Sequence, residues 1–254
     1  VIDAGFEGAP ADLSARGTLS MEGALLTSFT ASHRSTPSGG AVELAGNAAL
    51  ERLLPPNLHR LVAGGVAYDV AVRLAGGGVT IERAKATTAA LGLSAAGTVE
   101  GGTLDVTLDV APATAAAPLS LGTQESPLDI TIDRARLRAT GRVARPALDL
   151  SAHLASVAAK GAALTDVALA MRSGGFDTQA RSGSLSATAS IMSVALDNAT
   201  VAPLASGTVR AEFSADVTPQ AVTVRDGSLR SDALTARFDG SLSPGDGAAS
   251  FDVK

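Results

Sequence analysis

Strict alternation of apolar and polar residues is the feature that most limits what this chain can fold into. In residues 103–110, Leu104, Val106, Leu108 and Val110 occupy every second position, and threonine or aspartate fills the positions between them. Successive side chains of a β-strand point to opposite faces, so this pattern predicts a strand with one apolar and one polar face. The same alternation recurs in 66–74, 128–132, 148–154, 167–171, 185–191, 209–213 and 234–238.

Glycine-rich turn signals separate these runs. They occur about every 8–12 residues, the spacing typical of an all-β chain of short strands. Examples are the glycines at 76–78, 101–102 and 174–175. Beyond Arg134 the apolar phase shifts to Ala135 and Leu137. Because a one-residue slip moves side chains to the other face, this shift predicts a bulge or tight turn near Asp133 and Arg134.

Residues 47–63 depart from the alternating pattern. Apolar residues on both sides of Pro55 and Pro56 have helical spacing, which predicts a short insertion of one or two helices. We otherwise expect residues 1–254 to form one continuous repetitive β-groove segment. The sequence opens on Val1 and shows no signal peptide, so we expect it to be an internal fragment of a longer chain.

The apolar residues of this chain are small. Hydrophobic residues make up 46% of the sequence but aromatic residues only 3%, so the apolar mass is alanine, valine and leucine. A closed core usually includes large aromatic side chains because each buries so much area. The composition therefore favours a shallow or open apolar surface. Two arrangements remain open on the residues alone: a sandwich closed by a second sheet, or a curled sheet that encloses a ligand.

An internal repeat is the second informative pattern. Residues 79–85 align with 222–228, and the same offset places Leu91 on Leu234 and Gly97 on Gly240. The phrase around Gly97 is echoed around Gly17, Gly141 and Gly207. Glycine within a strand permits kinks and bulges that other residues resist. We therefore interpret the repeated strand as the construction unit of a sheet that bends at glycine.

Charge, cysteine content and motifs exclude several functions. The net charge of −5 argues against nucleic-acid binding, which requires clustered positive charge. The absence of cysteine excludes disulfides and thiolate zinc sites. No nucleophile elbow or phosphate-binding glycine loop occurs in a fitting context.

The remaining candidates for chemistry have simpler explanations. His33, His59 and His153 are scattered and lack metal-ligand spacing. We assign the pairs Asp105 with Asp109 and Asp129 with Asp133 to the polar, solvent-facing sides of alternating strands. His153 lies on such a face too. We therefore expect no catalytic residue, no metal and no cofactor, and the sequence predicts that the protein is not an enzyme.

Three passages carry a family resemblance. They are 53–65 leading into an alternating strand, 79–110 with its Gly-Thr-Val, Gly-Gly and Leu-Asp-Val order, and 141–150 followed by 160–169. In these passages the chain resembles the AsmA-like superfamily, most closely the TamB family of bacterial envelope proteins. The resemblance covers nearly the whole chain and rests on the order of the short sequence phrases within the repeats.

The resemblance implies an elongated antiparallel-type sheet that curls into an open trough with an apolar lining, a β-taco or repeating β-groove. Proteins of this kind are anchored in the inner membrane of Gram-negative bacteria and extend across the periplasm. They are associated with phospholipid transport toward the outer membrane, and the TamB family also with assembly of outer-membrane barrels. The membrane helix and the domain that meets a TamA-like barrel partner are not recognised here, so we expect both contacts outside this fragment.

The predicted partners are therefore phospholipid acyl chains, held on the apolar faces of the strands. Two other classes of function remain as alternatives. One is a scaffold that templates strands of outer-membrane barrels without conducting lipid, and the other is a structural β-solenoid or adhesin stalk. The candidate groove lining consists of Val66, Val70, Val72, Leu104, Val106, Leu108, Val110, Leu128, Ile130, Ile132, Leu148, Leu150 and Leu234.

Overall fold

A computed structural model describes residues 1–54, 59–113, 118–122, 127–200, 202–243 and 248–253. Almost every described segment is β-strand, and the described pairings between consecutive strands are antiparallel. The sequence-based prediction of an all-β, antiparallel fold is therefore confirmed. The chain divides into two units, residues 1–121 and 122–254. The sequence also predicted that residues 1–254 form one continuous repetitive β-groove segment, and this stays a prediction.

The first unit is a meander in which each strand from β1 to β8 pairs with the next. Three of the turns between these strands are tight and use glycines with positive φ, represented by Gly23, Gly76 and Gly101. The described pairings within the unit do not join β1 to β8, so its sheet is open. The strands are β1 Ile2–Ala9, β2 Asp12–Met21, β3 Ala24–Thr36, β4 Gly39–Ala48, β5 Val66–Ala75, β6 Gly78–Thr87, β7 Leu91–Glu100 and β8 Thr103–Pro112, with the short β9 Leu119–Gly122 at the boundary.

The second unit repeats this plan with eight consecutive strands, each paired with the next. Within the unit, the described pairings again leave the sheet open. Its first two strands are the longest of the chain. The strands are β10 Pro127–Arg142, β11 Arg145–Ala159, β12 Ala162–Ser173, β13 Gly183–Leu196, β14 Val209–Val217, β15 Val222–Arg230, β16 Thr235–Ser243 and β17 Ala248–Val253.

Helical structure among the described residues is confined to three short elements. A 3₁₀ turn at Glu51–Leu53 and the four-residue helix α1 at His59–Val62 lie between β4 and β5. Both fall inside the segment 47–63 for which the sequence predicted a helical insertion, although Ala48 still belongs to β4. Residues 55–58 of that prediction lie outside the described residues. Another 3₁₀ turn occupies Ala202–Ala205.

The irregularity predicted near Asp133 is present. In the pairing of β10 with β11 the register shifts between Thr131 and Ile132, and again between Ile132 and Arg134. Asp133 therefore has no partner in the register with β11. The shift keeps Ile132 and Ala135 on the same face, opposite Leu154 and Ala152. A bulge thus allows the apolar phase of the sequence to change while the apolar side chains stay together.

The sequence repeat corresponds to a repeated hairpin. In the hairpin β6–β7 the register shifts between Ile81 and Ala84, and Ile81 pairs with Gly97. In the hairpin β15–β16 the shift falls at the aligned positions, between Val224 and Gly227, and Val224 pairs with Gly240. Because the bulge and the glycine keep the same offset in both units, the alignment reflects a shared local structure.

The turns of the two hairpins are also alike. The Thr88 amide donates to the Leu91 carbonyl at 2.8 Å, and the Ser231 amide donates to the Leu234 carbonyl at the same distance. The Thr88 hydroxyl accepts from the Leu91 amide at 2.9 Å, as the Ser231 hydroxyl does from the Leu234 amide at 3.0 Å. The hydroxyl thus satisfies a backbone donor that the turn would otherwise leave unpaired.

Removing this hydroxyl is expected to destabilise the first unit. Thr88 is buried, so a Thr88→Val variant leaves the amides of Ala90 and Leu91 without their acceptor and lowers the free energy of unfolding by about 1–2 kcal/mol. Urea denaturation followed by circular dichroism measures the change. Thr87→Val, at an exposed strand position, is the matched control and is expected to change stability by less than about 0.5 kcal/mol. Equal effects of the two substitutions would contradict this role of the hydroxyl.

Candidate functional site: the two faces of each sheet

The pairing register places the predicted lining residues of the first unit on one face. Val70 pairs with Ala84, Ala84 with Ala95 and Ala95 with Leu108, so one apolar row crosses β5 to β8. We call this side the apolar face of the first unit. Directly paired residues in adjacent strands lie on the same face. The other predicted lining residues of this unit therefore lie on the same face, in the rows beside this one. The predicted residues on it are Val66, Val70, Val72, Leu104, Val106, Leu108 and Val110.

An equivalent face exists in the second unit. Ile132 pairs with Leu154, Leu154 with Val167 and Val167 with Ile191. The predicted residues Leu128, Ile130, Ile132, Leu148 and Leu150 belong to this apolar face of the second unit. Leu234 is the exception, because it lies in the turn before β16 and not in a strand.

Alanine is the commonest residue in the middle row of this second face. Ala135 pairs with Ala152, and the row continues through Leu169, Ala189 and Ala211 to Leu229 and Ala236. The row on one side contains Leu137, Leu150, Met171, Ala187 and Phe213. The row on the other side is the one through Ile132 and Val167. Strands lie about 4.8 Å apart, so the alanine-rich row extends for roughly 30 Å across seven strands.

The apolar faces are only partly covered. Among the described residues, no large side chain is less than 2% exposed. Val167 and Val66 are 3% and 7% exposed, whereas Leu169 and Leu74 on the same faces are 37% and 39% exposed. A closed sandwich core buries most of its large apolar side chains. Neighbouring side chains therefore shield each other on these faces, but the described residues supply no continuous second layer.

The total solvent-accessible surface is consistent with apolar faces that are only partly covered. The chain of 25.1 kDa exposes 15497 Å². A single compact protein of this mass would expose about 10,300 Å², and two separate bodies of half the mass about 12,400 Å². Even the larger figure is below the observed area, so the chain exposes more surface than one or two compact bodies of its mass would.

Two concavities of the first unit lie over its polar face. One, of about 730 Å³, is lined by Arg16, Glu43, Asp69 and Arg83 together with parts of β1 to β3. The other, of about 750 Å³, adjoins it and shares Arg16. Asp69 and Arg83 are joined by an ion pair of 2.8 Å, and the hydrogen bond to Asp69 raises the pKa of the Arg83 guanidinium. None of the predicted lining residues contributes to these concavities.

The pair of Asp105 with Asp109 and two of the histidines lie where no joint chemistry follows. Asp105 and Asp109 pair with Thr98 and Ser94 on the polar face, as the alternation predicted. His33 pairs with Leu13 and Val42 on the apolar face, and the His59 ring contacts the Leu54 carbonyl at 2.8 Å. Among the described residues, no group of three histidine or acidic side chains is arranged to hold a metal ion.

The third histidine belongs to a cluster that sequence reasoning missed. His153 Nδ1 lies 2.7 Å from Asp133 Oδ2, and Nε2 lies 2.6 Å from Asp166 Oδ1. The sequence correctly placed His153 on a polar face, since it pairs with Arg134 and Ala168. The phase shift at Asp133 was the one available signal, because a bulge re-aims the side chain that it leaves unpaired.

Comparison of the chain with protein-family models, with curated proteins and with solved structures found no significant match. Within the described part of the chain, no helix is both long enough and apolar enough to cross a bilayer. Function is therefore inferred from the fold and from the exposure of its apolar faces.

Proposed function

We propose that this chain is a periplasmic segment of a TamB-like or AsmA-like protein, and that its apolar faces carry phospholipid acyl chains between the inner and outer membranes. The observation that carries the proposal is the pair of extended apolar faces, each built from consecutive strands and lacking a continuous layer of described residues above it. An apolar surface exposed to water is unfavourable in proportion to its area, so such faces require a partner.

Acyl chains suit these faces better than a folded protein ligand would. Alanine, valine and leucine offer apolar area with few hydrogen-bonding groups, which favours binding without strong discrimination between chains. The alanine-rich row in the second unit gives a continuous apolar track across the strands. Its length of roughly 30 Å is comparable to the hydrocarbon thickness of a bilayer, and thus exceeds one acyl chain.

The concavities of the first unit refine the proposal. Their walls carry Arg16, Glu43, Asp69 and Arg83, so they are unsuited to hydrocarbon. The proposed path for acyl chains therefore follows the opposite side of the sheet, where Val70 and Leu108 lie. Attachment to the inner membrane and contact with a TamA-like barrel are assigned to parts of the protein outside this sequence.

The first experiment is photocrosslinking in cells. A photoreactive residue replaces Val106 on the apolar face, and the control replaces Thr107, which pairs with Ala96 on the polar face. We expect phospholipid adducts, detected by mass spectrometry, at position 106 and at most a background signal at position 107. Adducts at 106 that join only to other parts of the protein would mean that the face is packed against protein, and would overturn the proposal.

A second candidate function has its own observation. Val1 and Ser20 exchange backbone hydrogen bonds of 2.6 and 2.8 Å. In an antiparallel pair, hydrogen-bonded and non-hydrogen-bonded residue pairs alternate, so the following pairs of β1 with β2 alternate between these two types. The amide and carbonyl groups of Ile2 and Phe6 consequently point away from β2. Both side chains are largely exposed, at 72% and 70%. Among the described strands β1 is thus an edge suited to strand addition, as the templating alternative requires.

A proline distinguishes the two functions. Phe6→Pro removes an outward amide of β1 and leaves the apolar faces of β5 to β8 unchanged. The templating function predicts loss of barrel assembly with unchanged lipid capture at position 106. The lipid-transport function predicts that lipid capture and assembly both persist.

A further inference from the structure

Four adjacent strands of the second unit have irregular pairing along one line. Asp133 in β10 has no partner in the register with β11. In the pairing of β11 with β12, Ala155 and Asp166 are both left out, between the pairs of Leu154 with Val167 and Ser156 with Thr165. Met192 of β13 is left out beside Asp166 in the same way. The bulge between β10 and β11 is therefore aligned with interruptions of the pairing between β11 and β12 and between β12 and β13, where the register itself does not shift.

Asp166 adopts an unfavourable backbone conformation. Its φ is 54°, in the left-handed region that residues other than glycine rarely occupy. Such a conformation persists only where surrounding contacts favour it. For Asp166 the contact is its carboxylate, which accepts a hydrogen bond from His153 Nε2 at 2.6 Å.

The two contacts of His153 require a charged ring. A neutral imidazole has one N–H and one lone pair, so it donates to one carboxylate and presents a lone pair to the other. Only the imidazolium donates from Nδ1 to Asp133 at 2.7 Å and from Nε2 to Asp166 at 2.6 Å together. The geometry on both sides of the ring is thus that of the protonated form.

We propose that Asp133, His153 and Asp166 form a proton-dependent clasp that holds the aligned irregular positions of β10, β11 and β12 together and releases them when His153 loses its proton. The clasp lies on the polar face. Its release acts on the apolar face, because Ile132 and Val167 are chain neighbours of Asp133 and Asp166. This device is independent of the proposed lipid function.

The charged groups around His153 favour the proton on balance. From β10 it faces Asp133 and its register partner Arg134, with Arg136 one position beyond. From β12 it faces Asp166, and on its own strand Asp149 is engaged by Arg172 at 3.0 Å. The hydrogen bonds to Asp166 and then Asp133 raise the pKa of His153 above its ordinary value of about 6.5, against the opposing effect of desolvation.

The direction of the pH dependence is set by this raised pKa. Because the pKa of His153 is raised in the folded state, its contribution to stability is fully present below about pH 6.5 and is lost as the pH rises through the folded-state pKa. The irregular positions at Asp133 and Asp166 are therefore most strongly held in acid and loosen toward alkaline pH.

Hydrogen exchange tests the clasp locally. Amide exchange of 164–168 is measured at about pH 5.5 and about pH 8.5 and divided by the intrinsic exchange rate at each pH. We expect protection of these amides to fall about three- to tenfold at the higher pH in the native sequence. The His153→Gln variant, whose amide cannot become charged, is expected to show no such change.

Two further variants test whether the pH dependence arises from the contacts of His153. Asp149→Asn removes a carboxylate from the same face of β11 that contacts Arg172 and not His153, so its pH dependence is expected to match that of the native sequence. Proton NMR of His153 is expected to show a lower pKa in Asp166→Asn than in the native sequence. Corrected protection that does not vary with pH, or that varies equally in His153→Gln, would overturn the proposal.

Discussion

Replacing Gly97 by alanine is expected to lower the free energy of unfolding by about 2–4 kcal/mol. Gly97 lies within β7 at φ 150°, pairs with both Ile81 and Val106, and approaches the next strand closely. A Cβ at this position would clash with the Asp105 carbonyl and lie 2.7 Å from the Val106 Cα. Both atoms belong to the backbone, so the clash is relieved only by moving β7 away from β8.

The matched control is Gly92 in the same strand. A Cβ there would meet only the Ala111 carbonyl at 3.9 Å, which is ordinary contact, and its φ is not in the left-handed region. Gly92→Ala is therefore expected to leave stability unchanged or raise it by up to about 1 kcal/mol. Urea denaturation of both variants measures the difference. If Gly97→Ala were as stable as Gly92→Ala, the close approach of β7 to β8 would not depend on glycine.

Alternation in the sequence was sufficient to predict strands and their faces. Val70 and Leu108 lie far apart in the chain, yet each was assigned to an apolar side, and the register places them in one row. This works because a strand has a period of two, so the pattern itself specifies the face. Leu234 continued the pattern of Ala236 and Phe238 but lies in a turn, since alternation does not mark where a strand begins.

The recurring phrase around Gly97 does not form the same local structure in each of its copies. At Gly17 and Gly97 it lies inside strands, where added Cβ atoms would collide with neighbouring backbone. At Gly141 it lies at the end of β10 with φ 97°, and at Gly207 in a loop with φ 74°. The same local residues therefore serve a strand or a turn according to the strands that flank them.

The clasp of His153 and the position of the concavities were beyond the sequence alone. Asp133 and Asp166 approach one ring because a bulge in β10 aligns with an interruption of the pairing between β11 and β12, and this alignment depends on register across three strands. The composition favoured an open apolar surface, which stays a prediction, and it did not indicate which side of a sheet becomes concave. In the first unit the described concavities lie over Arg16 and Asp69, on the polar side.

A single carboxylate on the apolar face of the second unit is expected to reduce lipid capture at least tenfold. Leu150 pairs with Leu137 and Met171 in the middle of that face. In a Leu150→Glu variant an acyl chain lying on the face would desolvate the carboxylate, which costs several kcal/mol, and each 1.4 kcal/mol corresponds to about a factor of ten in binding. The measurement is the amount of phospholipid that copurifies with the protein, determined by mass spectrometry.

Ser151→Glu provides the matched control on the next residue of β11. Ser151 is exposed and pairs with Arg136 and Ala170 on the polar face, so its variant is expected to retain native lipid content. Circular dichroism and the urea midpoint establish that both variants remain folded. Leu150→Ala, which keeps the face apolar, is expected to lose less than about half of the bound lipid. A folded Leu150→Glu protein that still carries the native amount of phospholipid would separate the apolar face from lipid transport, because hydrocarbon cannot cover an ionised carboxylate without that cost.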